Sequence, residues 1–159
     1  MPGFRCIAMP TETARRFRAS GRDDRGNPVI RRVVETAGGA PCRHCLQYGK
    51  PGEAMLLASY DLPRPTGVYW TPSPIFLHEA DCPRFEAYNI VAPTATGPDT
   101  IVSVRAYDAD GMCLYDLGQV AKGPEVEAPL MRALADPRTR FVNLHTARPG
   151  CWIAGAELL

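Results

Sequence analysis

The sequence predicts an α+β fold: a mainly antiparallel sheet with two short helices packed on one side, in a single domain over residues 1–159. Three observations carry that expectation. Short apolar or β-branched runs recur along the chain between turn residues, 16 prolines and 14 glycines among them, which is how strands joined by local turns read. Only two stretches have helical periodicity with end signals. Two pairs of strand-like runs flank tight-turn residues, as hairpins do. A chain of 159 residues that is 45% hydrophobic can bury a core without disulfides, so a metal would be optional for folding.

Phe4 to Met9 alternates loosely and reads as a short strand. Pro10 and Thr11 suit the first turn of a helix that runs through Ala14, Phe17 and Arg18 and stops before Gly21. Gly21 to Asn27 is a polar loop. Val29 to Glu35, β-branched and arginine-rich, reads as a strand with one wet face. The turn Gly38, Gly39, Ala40, Pro41 delivers Cys42 to Cys45, and Gly49, Pro51 and Gly52 then prevent a long helix. Met55 to Tyr60 is the next strand, its apolar run too continuous for one wet face. The proline-rich link from Leu62 to Pro74 reads as irregular, and Ile75 to Leu77 as a brief buried strand ending at His78. Ile101 to Tyr107 and Met112 to Leu117 flank Asp108, Ala109, Asp110 and Gly111, a hairpin signal. A calcium loop at Asp108 and Asp110 lacks its remaining acidic ligands. A helix is expected from about Glu125 to Ala135, with Val126, Leu130, Met131 and Leu134 on one face and Pro129 in the first turn. Arg140 to Ala147 and Cys151 to Ala154 form a last hairpin around Arg148, Pro149 and Gly150.

Charge excludes little by its total, +1, but it is unevenly placed. Residues 1–41 hold eight arginines against four acids, while the remainder carries a net −3. A basic lobe can meet nucleic acid. Here Asp23 and Asp24 interrupt it and only Phe17 offers a stacking ring, so a solvated face is the better reading. No stretch approaches the roughly 20 apolar residues of a membrane span, and no export signal opens the chain. The expected compartment is therefore the cytoplasm, where the six cysteines would be reduced unless catalytic or metal-bound.

The sharpest motif is a set of soft ligands: Cys42 and Cys45 as Cys-x-x-Cys, then His78 and Cys82 as His-x-x-x-Cys. Thiolate and imidazole are the ligands tetrahedral zinc prefers, and a filled set of four would make the site structural. The intervening 32 residues exceed finger spacing, so the sheet must bring the halves together. Leu46 stands where a glycine often tightens such a knuckle. The same pair reads alternatively as a redox dithiol, since Arg43 and His44 lie between the thiols and adjacent cations lower a cysteine pKa. Inert reduced thiols remain the plain reading, because free cysteine is among the most buried residue types. His145 and Cys151 are close in sequence, as a nucleophile and its base would be, although geometry must come before such an assignment.

The run Pro41, Cys42, Arg43, then Leu46, then Pro51, Gly52, Glu53 before a strand ending in Tyr60 resembles bacterial proteins grouped as domain of unknown function 1203. Later elements agree in order: Pro74 to His78, Arg105 to Asp108, Tyr115 to Gly118, and Gly150 with Cys151. The likeness covers nearly the whole chain and implies no activity. With it, Arg43 and Arg105, joined by Arg148 beside the Gly150 turn and lying near Cys42, outline a binding site for a small carboxylate or phosphate, since the guanidinium fork suits such anions. There is no glycine pattern for a nucleotide. A small-anion binding module is thus one expected function, and a zinc or thiol protein built on Cys42, Cys45, His78 and Cys82 the other; the sequence assigns no reaction and no oligomeric state.

Overall fold

Val102, Val104 and Ala106 are every second residue of one strand, and all three are completely buried, because a strand sends alternate side chains to one face. That strand belongs to a computed structural model that describes residues 2–159. The elements in chain order are β1 (Phe4–Ile7), α1 (Thr11–Ser20), β2 (Ile30–Val33), β3 (Ala54–Asp61), β4 (Pro72–His78), β5 (Ile101–Tyr107), β6 (Gln119–Lys122), α2 (Glu127–Ala135), β7 (Phe141–Thr146) and β8 (Trp152–Leu158). All their pairings are antiparallel. The α+β expectation holds. The strands divide, however, into a five-stranded sheet of order β1-β8-β7-β5-β6 and a three-stranded sheet of order β2-β3-β4, and each helix serves a different core.

The first core lies between the larger sheet and α2. Val142 and Leu144 of β7 and Ile153 of β8 join the β5 residues there, and Val126, Leu130, Ala133 and Leu134 of the helical segment close over them. Each aliphatic side chain of this kind contributes about 1.5–3 kcal/mol by leaving water. Met131 packs at the edge, partly buried. Regular helix begins at Glu127, after a 3₁₀ turn over Gly123–Glu125, so Pro129 falls in the first turn, where its missing N–H costs nothing.

The second core lies under α1 and the smaller sheet. Ala14 and Phe17 of α1 are fully buried with Met9, Met55, Ile75 and Leu77, and Cys42 and Cys45 belong to the same cluster. Gly21 closes α1 in the left-handed conformation, φ 65°, and donates its N–H to the Phe17 carbonyl, the helix stop that glycine permits. Trp152 links the two halves. Its ring packs tilted against that of Tyr60 with centroids 5.5 Å apart, and its backbone N–H donates to Ser73 Oγ at 2.9 Å.

Four element expectations need correction. β2, read as a strand with one wet face, is exposed at every position from Ile30 to Val33, because nothing packs on its second face. β4 starts at Pro72, inside the stretch read as irregular. Pro72 and Pro74 are tolerated because β4 is an edge strand, and an edge has one row of groups with no ladder partner to lose. The hairpin partner of β5 is β6, pairing Ile101 with Lys122 and Val104 with Gln119, not Met112 to Leu117. Asp108 to Gly111 does turn, but only Cys113 bridges back to Tyr107, and Tyr115–Leu117 coils into a 3₁₀ turn. β8 runs on to Leu158, past Ala154. Among the described residues no helix is long and apolar enough to cross a membrane.

Candidate metal centre

Pro41 and Tyr48 face each other in an antiparallel bridge and close a loop over Cys42 to Gln47. Inside it the Cys42 N–H donates to the Gln47 carbonyl at 2.9 Å, and the Leu46 N–H to the Cys42 carbonyl at 3.1 Å. A turn this tight places residues 42 and 45 with both sulfurs on one side. It also forces Leu46 into the left-handed region, φ 55°, a conformation that usually selects glycine. The loop docks along β4 through a parallel bridge between Cys42 and Phe76, in which the Arg43 N–H donates to the Phe76 carbonyl at 3.0 Å. His78 is the last residue of that strand, and Cys82 follows in the next turn.

The sheet thus brings the two cysteine-bearing segments together. The ligand atoms of Cys42, Cys45, His78 and Cys82 all lie within 4.8 Å of one another. Cys42 Sγ is 3.9 Å from Cys82 Sγ, and Cys45 Sγ is 3.5 Å from His78 Nδ1. Ordinary zinc bond lengths put the edges of a tetrahedron at about 3.8 Å for sulfur to sulfur and about 3.6 Å for sulfur to nitrogen. The separations fit a single ion. Cys42 and Cys45 are buried, Cys82 half-buried, and the His78 side chain is 13% exposed.

Groups behind the ligands orient them. His78 Nε2 lies 3.2 Å from Glu53 Oε2. A proton on Nε2 donated to that carboxylate leaves the Nδ1 lone pair facing the sulfurs, the tautomer a metal needs. His44 Nδ1 lies 3.2 Å from Cys82 Sγ and its Nε2 2.9 Å from Thr11 Oγ1, so the ring donates to the sulfur and accepts from the hydroxyl. Arg18 donates through Nη2 to Cys82 Sγ at 3.4 Å and through Nε to the His78 carbonyl at 2.9 Å. The two groups that touch the Cys82 sulfur, His44 and Arg18, complement a thiolate there.

The electrostatics follow. Hydrogen bonds from Cys45 and then Cys82 hold the Cys42 thiol far below its ordinary range, and the same bonds hold Cys45 and Cys82 above theirs. His78 is raised by Cys42 first and by Glu53 after it, whereas burial lowers His44. Glu53 is lowered chiefly by the Lys50 backbone N–H. Neither Cys42 nor Cys45 opens a helix, so the helix-terminus field that activates a redox dithiol has no counterpart here.

The three arginines separate. Arg43 and Arg148 line one cavity of about 260 Å³. Arg105, with Nε bonded to Ser103 Oγ, lines another with Tyr107 and His145. Cys151 lines the first cavity and His145 the second, and His145 Nδ1 is engaged at 2.9 Å by the Gly150 carbonyl. Cys151 and His145 therefore do not face each other as nucleophile and base. Asp108 Oδ1 accepts the N–H groups of Asp110 and Met112, a turn bond in place of a calcium ligand.

Sequence reasoning missed Arg18, Glu53 and Thr11, which reach the centre from far along the chain. His44 had a signal, its place between the two cysteines.

The chain belongs to the family described as protein of unknown function DUF1203, whose model matches residues 39–157. All four ligands lie within the matched stretch, and Thr11 and Arg18 lie before it. No curated protein and no solved structure matches the chain.

Proposed function

We propose that this member of the DUF1203 family is a zinc-binding protein in which Cys42, Cys45, His78 and Cys82 hold one structural zinc. The observation that carries the reading is the approach of all four ligand atoms to within 4.8 Å, with tetrahedral edges at the two measured pairs. Three thiolates and Zn²⁺ leave one negative charge, and Arg18 on Cys82 opposes it. Four protein ligands fill the coordination sphere, so the metal would clamp the Cys42–Gln47 loop to the end of β4 rather than activate water.

Elemental analysis of protein purified under reducing conditions without chelator should find about one zinc per chain. Cys45→Ser should lose it. Metal-free protein that takes up no zinc in competition with a chromophoric chelator would overturn the reading.

Small-anion binding is the second reading. The observation that favours it is Arg43, only 2% exposed, sharing one cavity with Arg148.

A further inference from the structure

Arg43 poses an accounting question. Its Nε donates to the Trp152 carbonyl at 2.6 Å and its Nη1 to the Pro41 carbonyl at 2.5 Å. Among the described residues Nη2 has no partner, and no ion pair includes Arg43. An arginine guanidinium keeps its charge at neutral pH. A buried charge without a counter-charge is costly. The nearby Cys42 sulfur is turned to the ligand cluster, 3.9 Å from Cys82 Sγ and accepting from the His78 N–H at 3.5 Å.

The cavity on which Arg43 opens is mostly apolar. Leu57, Ile75, Phe76 and Ile101 line it, and Arg148 and Asp99 stand exposed on its rim. Its polar side is Tyr48, whose hydroxyl donates to the Thr94 carbonyl at 3.1 Å. Thr94, 2% exposed, keeps its Oγ1 buried and without a partner among the described residues. At about 260 Å³ the space falls just below the roughly 300–1,000 Å³ of clefts for drug-sized ligands, so its occupant is small.

We propose that this cavity binds a small apolar monocarboxylate, its carboxylate between Arg43 Nη2 and Arg148 and its hydrocarbon part on Leu57, Ile75, Phe76 and Ile101. The inference rests on the small-anion reading and names the ligand class. A carboxylate supplies the charge that Arg43 lacks, and hydrogen bonds to charged groups are among the stronger ones. The apolar wall selects against phosphate, which would bring hydrated oxygens against hydrocarbon. Asp99 on the rim further opposes a doubly charged anion.

The test is calorimetric titration of the full, zinc-loaded chain with hexanoate and benzoate, alongside inorganic phosphate and uncharged hexanol. One carboxylate should bind saturably, with phosphate and hexanol at least about tenfold weaker, the loss of a charged hydrogen bond. Arg43→Ala can fail to fold, because the guanidinium ties Pro41 to Trp152. Arg148→Ala avoids this, since Arg148 is exposed and makes no hydrogen bond among the described residues; it should weaken the carboxylate about tenfold. Amide shifts on binding should centre on Phe76, Thr100 and Ile101. Phosphate binding at those amides without carboxylate binding would overturn the ligand class and leave the small-anion reading standing. No binding by any of the anions would overturn both. Carboxylate binding indifferent to Arg148→Ala, or with shifts elsewhere, would overturn the site.

Discussion

The five-stranded sheet with α2 and the three-stranded sheet with α1 bury their centres by different chemistry. The first core is mainly aliphatic, with Phe4 and Cys6 at its margin: Val102, Val104, Leu130, Val142, Leu144 and Ile153 are all completely buried. The second has two cysteines among its buried side chains, and β2, its edge strand, is exposed at every position. Alternation and a helical stripe suffice for the larger region. The smaller one has a strand with no buried face and a loop held in a left-handed turn, and under the proposed zinc reading a bound metal would supply there what burial does not.

Removing the metal should therefore separate the regions, and this is the largest expected effect. On chelation, or in Cys45→Ser, amide exchange should show β3 and β4 losing more than about 4 kcal/mol of protection, the scale of a lost metal site, while β5 and β7 keep theirs. Equal loss in both sheets would break the comparison and make the molecule one cooperative unit. The converse variant is Leu130→Ala. It should cost about 3 kcal/mol of global stability by leaving a cavity in the first core, and chelator competition should find zinc affinity unchanged.

The same contrast governs what was legible in the sequence. α1 with its Gly21 stop, β5 and the stripe of α2 could be read because local periodicity and caps determine them. β4 reads too short because Pro72 and Pro74 look like breakers until β4 is known to be an edge strand paired there with β3 alone. β6 has no apolar run, and pairing with β5 alone makes it a strand. Nothing local announces that eight strands make two sheets. The four candidate metal ligands are visible as residue types at suggestive spacing, but their meeting depends on the bridge from Cys42 to Phe76. Arg18 carries no motif and Glu53, though it ends the family-like run Pro51 to Glu53, carries no ligand spacing, so only the folded chain reveals their contacts with the site. Arg105 was grouped with Arg43 and Arg148 by chemistry, and the fold gives it another cavity.

Glu53→Gln sharpens the comparison inside the second region. The amide keeps the shape but loses the carboxylate that holds the Nε2 proton of His78, and outer partners of metal ligands typically carry about 10- to 100-fold in affinity. Zinc should bind that much more weakly in competition with a chelator, with Leu130 and its neighbours unaffected. An unchanged affinity would mean that β4 alone orients the imidazole.

Leu46 gives the smallest effect and the finest distinction, because it belongs to both regions. It follows Cys45 on the metal loop at φ 55°, yet its side chain is fully buried in the first core. Glycine at this position would relieve about 1–2 kcal/mol of left-handed strain and forfeit about 2–5 kcal/mol of core packing. The leucine thus offsets its own strain by anchoring the loop in the aliphatic half. Leu46→Gly should lower the unfolding free energy by a net of about 2 kcal/mol, measured by denaturant titration, and leave zinc affinity intact because the turn itself becomes easier to form. A large fall in zinc affinity would show that the loop needs the first core to hold its sulfurs in place, and would make Leu46 the link through which the two regions depend on each other.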